Sequence, residues 1–277
     1  MYIQSSYEDH NNMFATLSQT KEVMTWWRVL CGLSILNIFL WAFVCRFGPS
    51  DNPYSVIQLS LSGIYVFVCA YRSLLPRIDL ERLVLFDSPL SSIFLGRSAA
   101  TVAEICFGIQ LGLLVHQLGA QAGLPWVQNA AWFITFCTIL AQGFCWHSIL
   151  TLNHITQAVE ELLWAVGLSW MAGLLAIIAM DTTGAVHHLA LAGIVGAVVF
   201  VAYVLLFDIP MYWRRFQGGR KSGLQYLTIT QGVRDTMRRR EQALAWEKWR
   251  DDALWLTPYF SLGVWVSMAL VLVPLAL

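Results

Sequence analysis

Seven long apolar segments, at roughly 26–45, 54–74, 97–118, 127–149, 154–180, 188–208 and 255–277, leave this chain little freedom of fold. Each is near or above the ~20 residues a helix needs to cross a bilayer. Lipid offers no partners to backbone amides, so helices are the expected spanning structure. Charged residues make up only 12% of the chain against 57% hydrophobic, whereas soluble domains carry about 25% charged residues. The expectation is therefore an all-α polytopic bundle of about seven transmembrane helices, forming one membrane domain over residues 1–277. The tightest connection falls between the fourth and fifth segments, at Thr151-Leu152-Asn153.

Basic residues orient such a bundle, because cytoplasmic loops are enriched in Lys and Arg. The stretch 212–254 holds ten of the seventeen, including Arg214, Arg215, Arg220, Lys221 and the run Arg238-Arg239-Arg240. Arg72, Arg77, Arg82 and Arg97 flank the connection between the second and third segments. The opposite connections hold only Arg46. This bias predicts a cytoplasmic N-terminus and an external C-terminus. Residues 1–25 are polar, with no secretory h-region, and Met1–Thr20 reads as a cytoplasmic tail. The basic stretch 212–254 reads as a cytoplasmic loop. Within it, 230–253 has a helical pattern, with Val233, Met237, Leu244 and Trp249 on an apolar side. Its cations suit anionic lipid head groups or a protein partner. No recognition module for nucleic acid accompanies them. Residues 76–94 mix charge with Leu, Val and Phe, as a short amphipathic piece on the membrane surface would. Pro89 should interrupt any helix there.

The costly residues lie inside the segments. A carboxylate at a span centre costs roughly 2.5–3.5 kcal/mol on insertion scales. Glu104 lies well inside the third segment, and Glu160-Glu161 lie at similar depth in the fifth. On a helical wheel Asn153, Gln157, Glu160 and Trp164 fall together, flanked by His154 and Glu161, in a polar wedge of roughly 120°. Arg97, Thr101 and Glu104 fall within roughly 60° of one another, with Arg97 and Glu104 about 10 Å apart along the axis and under no obligation to touch. Gln142, His147, Asp208, Arg28 and Arg72 are expected in the same layer.

Three chemistries fit this layer. Glu104, His147, His154, Glu161 and Asp208 are candidate ligands for a divalent metal such as iron, manganese or zinc, since carboxylate and imidazole suit those ions. Against it, the chain has no HxxxH, HExxH or ExxH pattern. Glu104, Glu160 and Glu161, with Asn153 orienting, are candidate acid–base residues; close carboxylates in a low dielectric cannot all ionise cheaply. Alternatively the acids pair with Arg28, Arg72 or Arg97 and lock the helices together. Outer histidines His116, His187 and His188 read as head-group residues rather than haem ligands. The six cysteines form no CxxC pair and read as packing residues. The only lysines are Lys21, Lys221 and Lys248, which removes a retinal Schiff base. Walker A, GxSxG and GxGxxG motifs are absent.

The leading expectation is a membrane-embedded enzyme acting on a lipid or other apolar small molecule through a carboxylate-rich site in the cytoplasmic half. The alternatives are a proton-coupled transporter or carrier using the same carboxylates, and an accessory subunit of a membrane complex that binds through 212–254. No internal repeat supports the transporter.

Overall fold

The structure, a computed structural model, describes residues 2–49, 51–240 and 242–277, with side chains described from residue 19 onward. Among these residues seven helical stretches are long and apolar enough to cross a membrane: Gln19–Phe47, Pro53–Leu74, Ile93–Gln121, Pro125–Thr151, His154–Asp181, Gly184–Lys221 and Arg250–Leu275. The protein is a multi-pass membrane helical bundle.

In chain order, α1 (Tyr2–Phe47) is followed by α2 (Pro53–Leu74), β1 (Arg77–Ile78), β2 (Leu83–Val84) and α3 (Ile93–Gln121). Next come α4 (Pro125–Ala130), α5 (Phe133–Thr151), α6 (His154–Asp181), α7 (Gly184–Tyr203), α8 (Ile209–Lys221) and α9 (Ile229–Thr236). The chain closes with α10 (Arg250–Pro258), α11 (Val264–Ala269) and a 3-10 stretch, Leu270–Leu275. The sixth and seventh spans each contain a π-helical segment, Val204–Asp208 and Tyr259–Gly263.

Local chemistry sets the boundaries. Asn52 caps α2 and Pro53 opens it, where a missing N–H costs nothing. Pro76 ends the run after α2, since proline removes a helical donor. Leu152 takes the left-handed conformation (φ 62°), and Asn153 accepts a hydrogen bond from the Ile155 amide at 3.2 Å. The α5–α6 hairpin therefore turns within two residues.

Small residues set the closest approaches. A Cβ on Gly108 or Gly112 of α3 would collide with Thr138 or Thr135 of α5, and the Thr135 hydroxyl donates to the Gly108 carbonyl at 3.0 Å. This is the small-residue contact that lets membrane helices pack without a hydrophobic driving force. A core of Leu114, Leu118, Ile134, Leu168, Leu175 and Ile178 joins α3, α5 and α6. A second core gathers Trp26, Val66, Leu256 and Phe260 from α1, α2 and the last span, with Trp249 just before that span. Span one and the sixth span are the most peripheral, with only 17% of their apolar windows buried.

Two connections differ from their sequence reading. Residues 76–85 do not lie on a surface as the start of an amphipathic piece, although Asp87, Pro89 and Leu90 after them are exposed. The 76–85 stretch forms a hairpin, Arg77 opposite Val84 and Ile78 opposite Leu83, that inserts into the bundle end. Arg77, Ile78, Asp79, Leu80, Val84 and Leu85 are all buried. The Arg77 guanidinium lies 4.8 Å from the Tyr71 ring and donates to the Ser92 carbonyl at 2.8 Å, which offsets part of the cost of burying it. Pro89 opens a single 3-10 turn, Pro89–Ser91, capped by Ser88.

The predicted helix over 230–253 also breaks. The sixth span's helix continues to Lys221, and α9 covers only Ile229–Thr236, started by a Thr228–Gln231 capping box. It stops because Arg240 takes up its end, donating to the Asp235 carbonyl and pairing with the Asp235 carboxylate, both at 2.7 Å. The chain then pairs with the hairpin: the Ala243 amide donates to the Val84 carbonyl at 2.9 Å. Leu244 is half-buried and Trp249 fully buried, but not on one continuous helix.

These connections meet at one end of the bundle. Arg82 donates to the Ile149 carbonyl (2.6 Å) and to Asp235 (2.8 Å). The Leu227 amide reaches the Thr151 carbonyl (3.1 Å), and the Glu247 amide reaches the side chain of Gln19 (3.0 Å). Residues 222–240 and 242–249 thus form a folded cap over the start of the first span at Gln19, the end of α5 and the hairpin.

Candidate functional site

Beneath that cap lies a chain of polar side chains drawn from five spans and the hairpin. At its inner end, Arg97 Nη2 donates to Glu104 Oε2 (2.9 Å) and to Gln142 Oε1 (2.5 Å). Gln142 Nε2 donates back to the same Glu104 oxygen (2.7 Å), and the Tyr259 hydroxyl donates to the other (3.3 Å). Arg97, Glu104 and Gln142 are all buried. The sequence left Arg97 and Glu104 free to part. In the structure two helical turns of α3 bring them into direct contact, because the long guanidinium stem bends along its own helix. Thr101, between them, accepts from Trp146 Nε1 at 3.0 Å.

The next group sits on α6. His154, Gln157, Glu160 and Trp164 all face inward and are buried, as the wheel requires. Asn153 accepts from the Ile155 amide as the helix cap. Glu160 accepts from Gln157 Nε2 and meets the Cys145 thiol. Glu161 is only half-buried, on the shoulder of the stripe. It lies within electrostatic range of Glu160, Asp208, Glu104 and Arg97. Asp208, also half-buried, ends the first π segment and is hydrogen-bonded by the Tyr203 hydroxyl. Tyr212 is buried against the same acids. None of Glu160, Glu161 and Asp208 forms an ion pair among the described residues.

The outer group joins four elements. His154 Nε2 lies 3.1 Å from Glu81 Oε1 of the hairpin. Arg215 of α8 lies 3.6 Å from Glu81 and 3.1 Å from Asp252 of α10. Trp255 Nε1 donates to the other Asp252 oxygen at 3.2 Å. The hydrogen bond from His154, helped by Arg215, holds the Glu81 carboxyl below the usual carboxylate range against its partial burial. Asp208 is in electrostatic range of both Asp252 and Arg215, which connects this group to the inner one.

Both π segments deliver a member of the site, Asp208 in one and Tyr259 in the other. Such bulges frequently mark functional positions, because the extra residue re-aims side chains. Beside this chain, Arg72 pairs with Asp79 at 3.5 Å and lies 5.9 Å from the Tyr259 ring.

Several expected residues do not converge. Among the described residues no group of three or more His, Cys, Asp or Glu is arranged to hold a metal ion. Of the expected ligand set, Glu161 lies within electrostatic range of Asp208 and Glu104, but the members do not meet at one point. Glu104 is held by Arg97, Gln142 and Tyr259, and His154 is turned to Glu81. His147 is exposed, with Nδ1 3.2 Å from the Thr156 hydroxyl. Arg28 is exposed as well. At the far end His116 meets the Gln128 carbonyl (3.2 Å) and His187 the Ala179 carbonyl (2.8 Å). The six cysteines are unbridged.

Sequence reasoning missed Asp79, Glu81, Tyr203, Asp252 and Tyr259. Asp79 sits between Ile78 and Leu80, where an acid amid apolar neighbours is a readable sign of burial, whereas Glu81 is exposed and carries no such sign. Tyr203 and Tyr259 carry no such sign, since tyrosine is ordinary in a membrane span. Set against known proteins, the chain matches no family model, no curated protein and no solved structure.

Proposed function

We propose that the protein is a membrane-embedded enzyme that uses the Glu160–Glu161–Asp208 group for acid–base chemistry on a lipid or other amphipathic substrate. The observation that carries this reading is an imbalance of charge. Glu104, Glu160, Glu161, Asp208, Asp252 and Glu81 form one connected chain with only Arg97, Arg215 and His154 as possible cations. Like charges in a low dielectric cannot all be ionised, so the surplus carboxylates must share protons. A carboxyl holding a proton at neutral pH can give it to a substrate, and its neighbour can take one up.

Access supports the same reading. Glu161 and Asp208 are half-buried, while Leu162, Leu205, Leu206 and Phe207 beside them are exposed on the apolar surface. An amphiphile in the bilayer would reach these two carboxyls sideways, its chains along those residues. Arg97 and Glu104 serve this site as a positioning pair. Asn153 fixes the start of α6 and so the direction of its stripe.

The continuity of the polar chain favours a second reading. Titratable groups run from Glu160 through Asp208 and Asp252 to His154 and Glu81 at the capped end, a path by which a proton-coupled carrier would load its site. A role as an accessory subunit has less support, because Arg239 and Arg240 of the basic stretch are engaged within the chain itself. In either leading reading the basic cap faces the cytoplasm, as the Lys and Arg bias implies.

The test is reconstitution in vesicles of total membrane lipid, with lipid mass spectrometry and an internal pH dye read together. The enzyme reading expects lipid turnover that Glu161→Gln and Asp208→Asn abolish while the fold survives. Proton flux without turnover favours the carrier. Infrared spectra that show every carboxyl ionised at neutral pH would remove the basis of both.

A further inference from the structure

A second polar feature shares no lining residue with this chain. A cleft of about 440 Å³ opens between residues 84–94 and the turn after α9. One wall is Arg238-Arg239-Arg240, the other Ser88, Ser91 and Ser92, with Asp87 as the lining acid. Three guanidiniums face one carboxylate, so the cleft carries a surplus of positive charge.

That surplus is not neutralised within the fold. Arg239 pairs with Asp87 through two bonds, 2.9 and 3.0 Å. Arg240 shares Asp235 with Arg82. Arg238 has no ion-pair partner among the described residues and is exposed. Two residues that line the cleft also carry buried polar atoms. The Ser91 hydroxyl, on a residue 2% exposed, has no hydrogen-bond partner, and neither has Arg240 Nε. A buried hydroxyl without a partner costs about 1–3 kcal/mol unless something satisfies it. A donor hydroxyl beside guanidiniums is the donor set that recognises a phosphate oxygen.

The surroundings say which phosphate. Met237 lines the cleft and is more than half exposed, as is Leu90, which stands in sequence between the lining residues Pro89 and Ser91; Leu95 of the third span, next to the lining residue Phe94, is exposed as well. The third span begins at Ile93, so these apolar side chains lie where a bilayer surface meets the protein. We propose that the cleft binds the phosphate of an anionic phospholipid from the adjoining leaflet, with Arg238 and the Ser91 hydroxyl on the phosphate and Leu90, Leu95 and Met237 against the acyl chains. The site is independent of the carboxylate group. It clamps the cap to the membrane surface by a ligand that bridges the hairpin and the turn after α9.

The experiment uses the full chain in nanodiscs holding equal phosphatidylglycerol and phosphatidylcholine, then native mass spectrometry of the lipid retained. Wild type should keep phosphatidylglycerol in preference to phosphatidylcholine. Arg238→Gln, which breaks no ion pair, should lower that retention at least fivefold. Ser91→Ala should lower it by a smaller factor. Asp87→Asn, which removes the lining acid and frees Arg239, should raise it, an outcome no loss of folding would give. Equal retention of the two lipids, or retention unchanged in Arg238→Gln, overturns the proposal. Displacement of the retained lipid by millimolar inorganic phosphate, with the same affinity in phosphatidylcholine-only discs, would assign the cleft to a soluble phosphate and overturn the lipid assignment.

Discussion

Replacing Arg97 by Gln should expose how the inner end of the site is held. The guanidinium meets Glu104 at 2.9 Å and Gln142 at 2.5 Å in a buried setting. Removing one partner of a buried pair costs about 3–5 kcal/mol, because it strands the other. Here the stranded Glu104 keeps two donors, Gln142 at 2.7 Å and Tyr259 at 3.3 Å. The expected cost of Arg97→Gln is therefore at the low end, about 3 kcal/mol. Glu104→Gln leaves the guanidinium unpaired but keeps an acceptor oxygen beside it, and should also cost about 3 kcal/mol. The double variant leaves no unpaired charge, so it should cost about 3 kcal/mol rather than the sum of the two singles, a coupling of about 3 kcal/mol. Equilibrium unfolding in mixed micelles, scored by tryptophan fluorescence for all four proteins of the cycle, measures it. Additive costs, or an Arg97→Gln effect under about 1 kcal/mol, would refute the pairing as the lock of this layer.

Three further outcomes follow from the cap. Gly232→Ala should weaken it by about 1–3 kcal/mol, because the new Cβ would overlap the Leu150 carbonyl and backbone cannot give way cheaply; faster proteolysis within 222–249 reads this out. Trp249→Ala should cost about 3–5 kcal/mol in thermal or micelle unfolding, since the indole is fully buried, donates to the Ala243 carbonyl at 2.7 Å and meets the Trp26 ring at 5.7 Å. Acid should loosen the cap. Burial opposes it, but hydrogen bonds from Arg240 and Arg82 hold the Asp235 carboxyl below its ordinary value of about 3.9. A depressed folded value gives stability that is present above the unfolded value and lost as pH falls through the folded one. Protection of the Ala243 amide from hydrogen exchange, corrected for intrinsic rates, should therefore drop below about pH 4 in the wild type. In Asp235→Asn it should already be low at neutral pH.

Much of the architecture was legible because hydropathy is additive along a chain. Each of the seven spans could be read from its own residues, and the inward face of α6 from the spacing of His154, Gln157, Glu160 and Trp164. The failures share one cause. Residues 76–94 and 230–253 looked amphipathic in isolation, yet each segment's partner is the other. Val84 pairs with Ala243, and Asp235 is shared by Arg82 and Arg240. A pattern within one segment holds no information on a partner about 150 residues away.

The candidate site divides in the same way. Sequence alone established that this is a membrane helical bundle and that Glu104, Glu160 and Glu161 require compensation, because a carboxylate in lipid is costly wherever its helix turns. Only the tertiary structure decided what compensates them. The Arg97 stem, bent along α3 itself, gives Glu104 its guanidinium, and the rotational setting of α3 against α5 gives it its amide. The packing of α6 against the sixth span, with a π segment before Ile209, sets Asp208 beside Glu161 and leaves both without an ion-pair partner among the described residues. Insertion cost is a property of one residue in one medium. Neutralisation is a property of at least two residues, and their meeting depends on helix rotations and bulges that hydropathy does not encode.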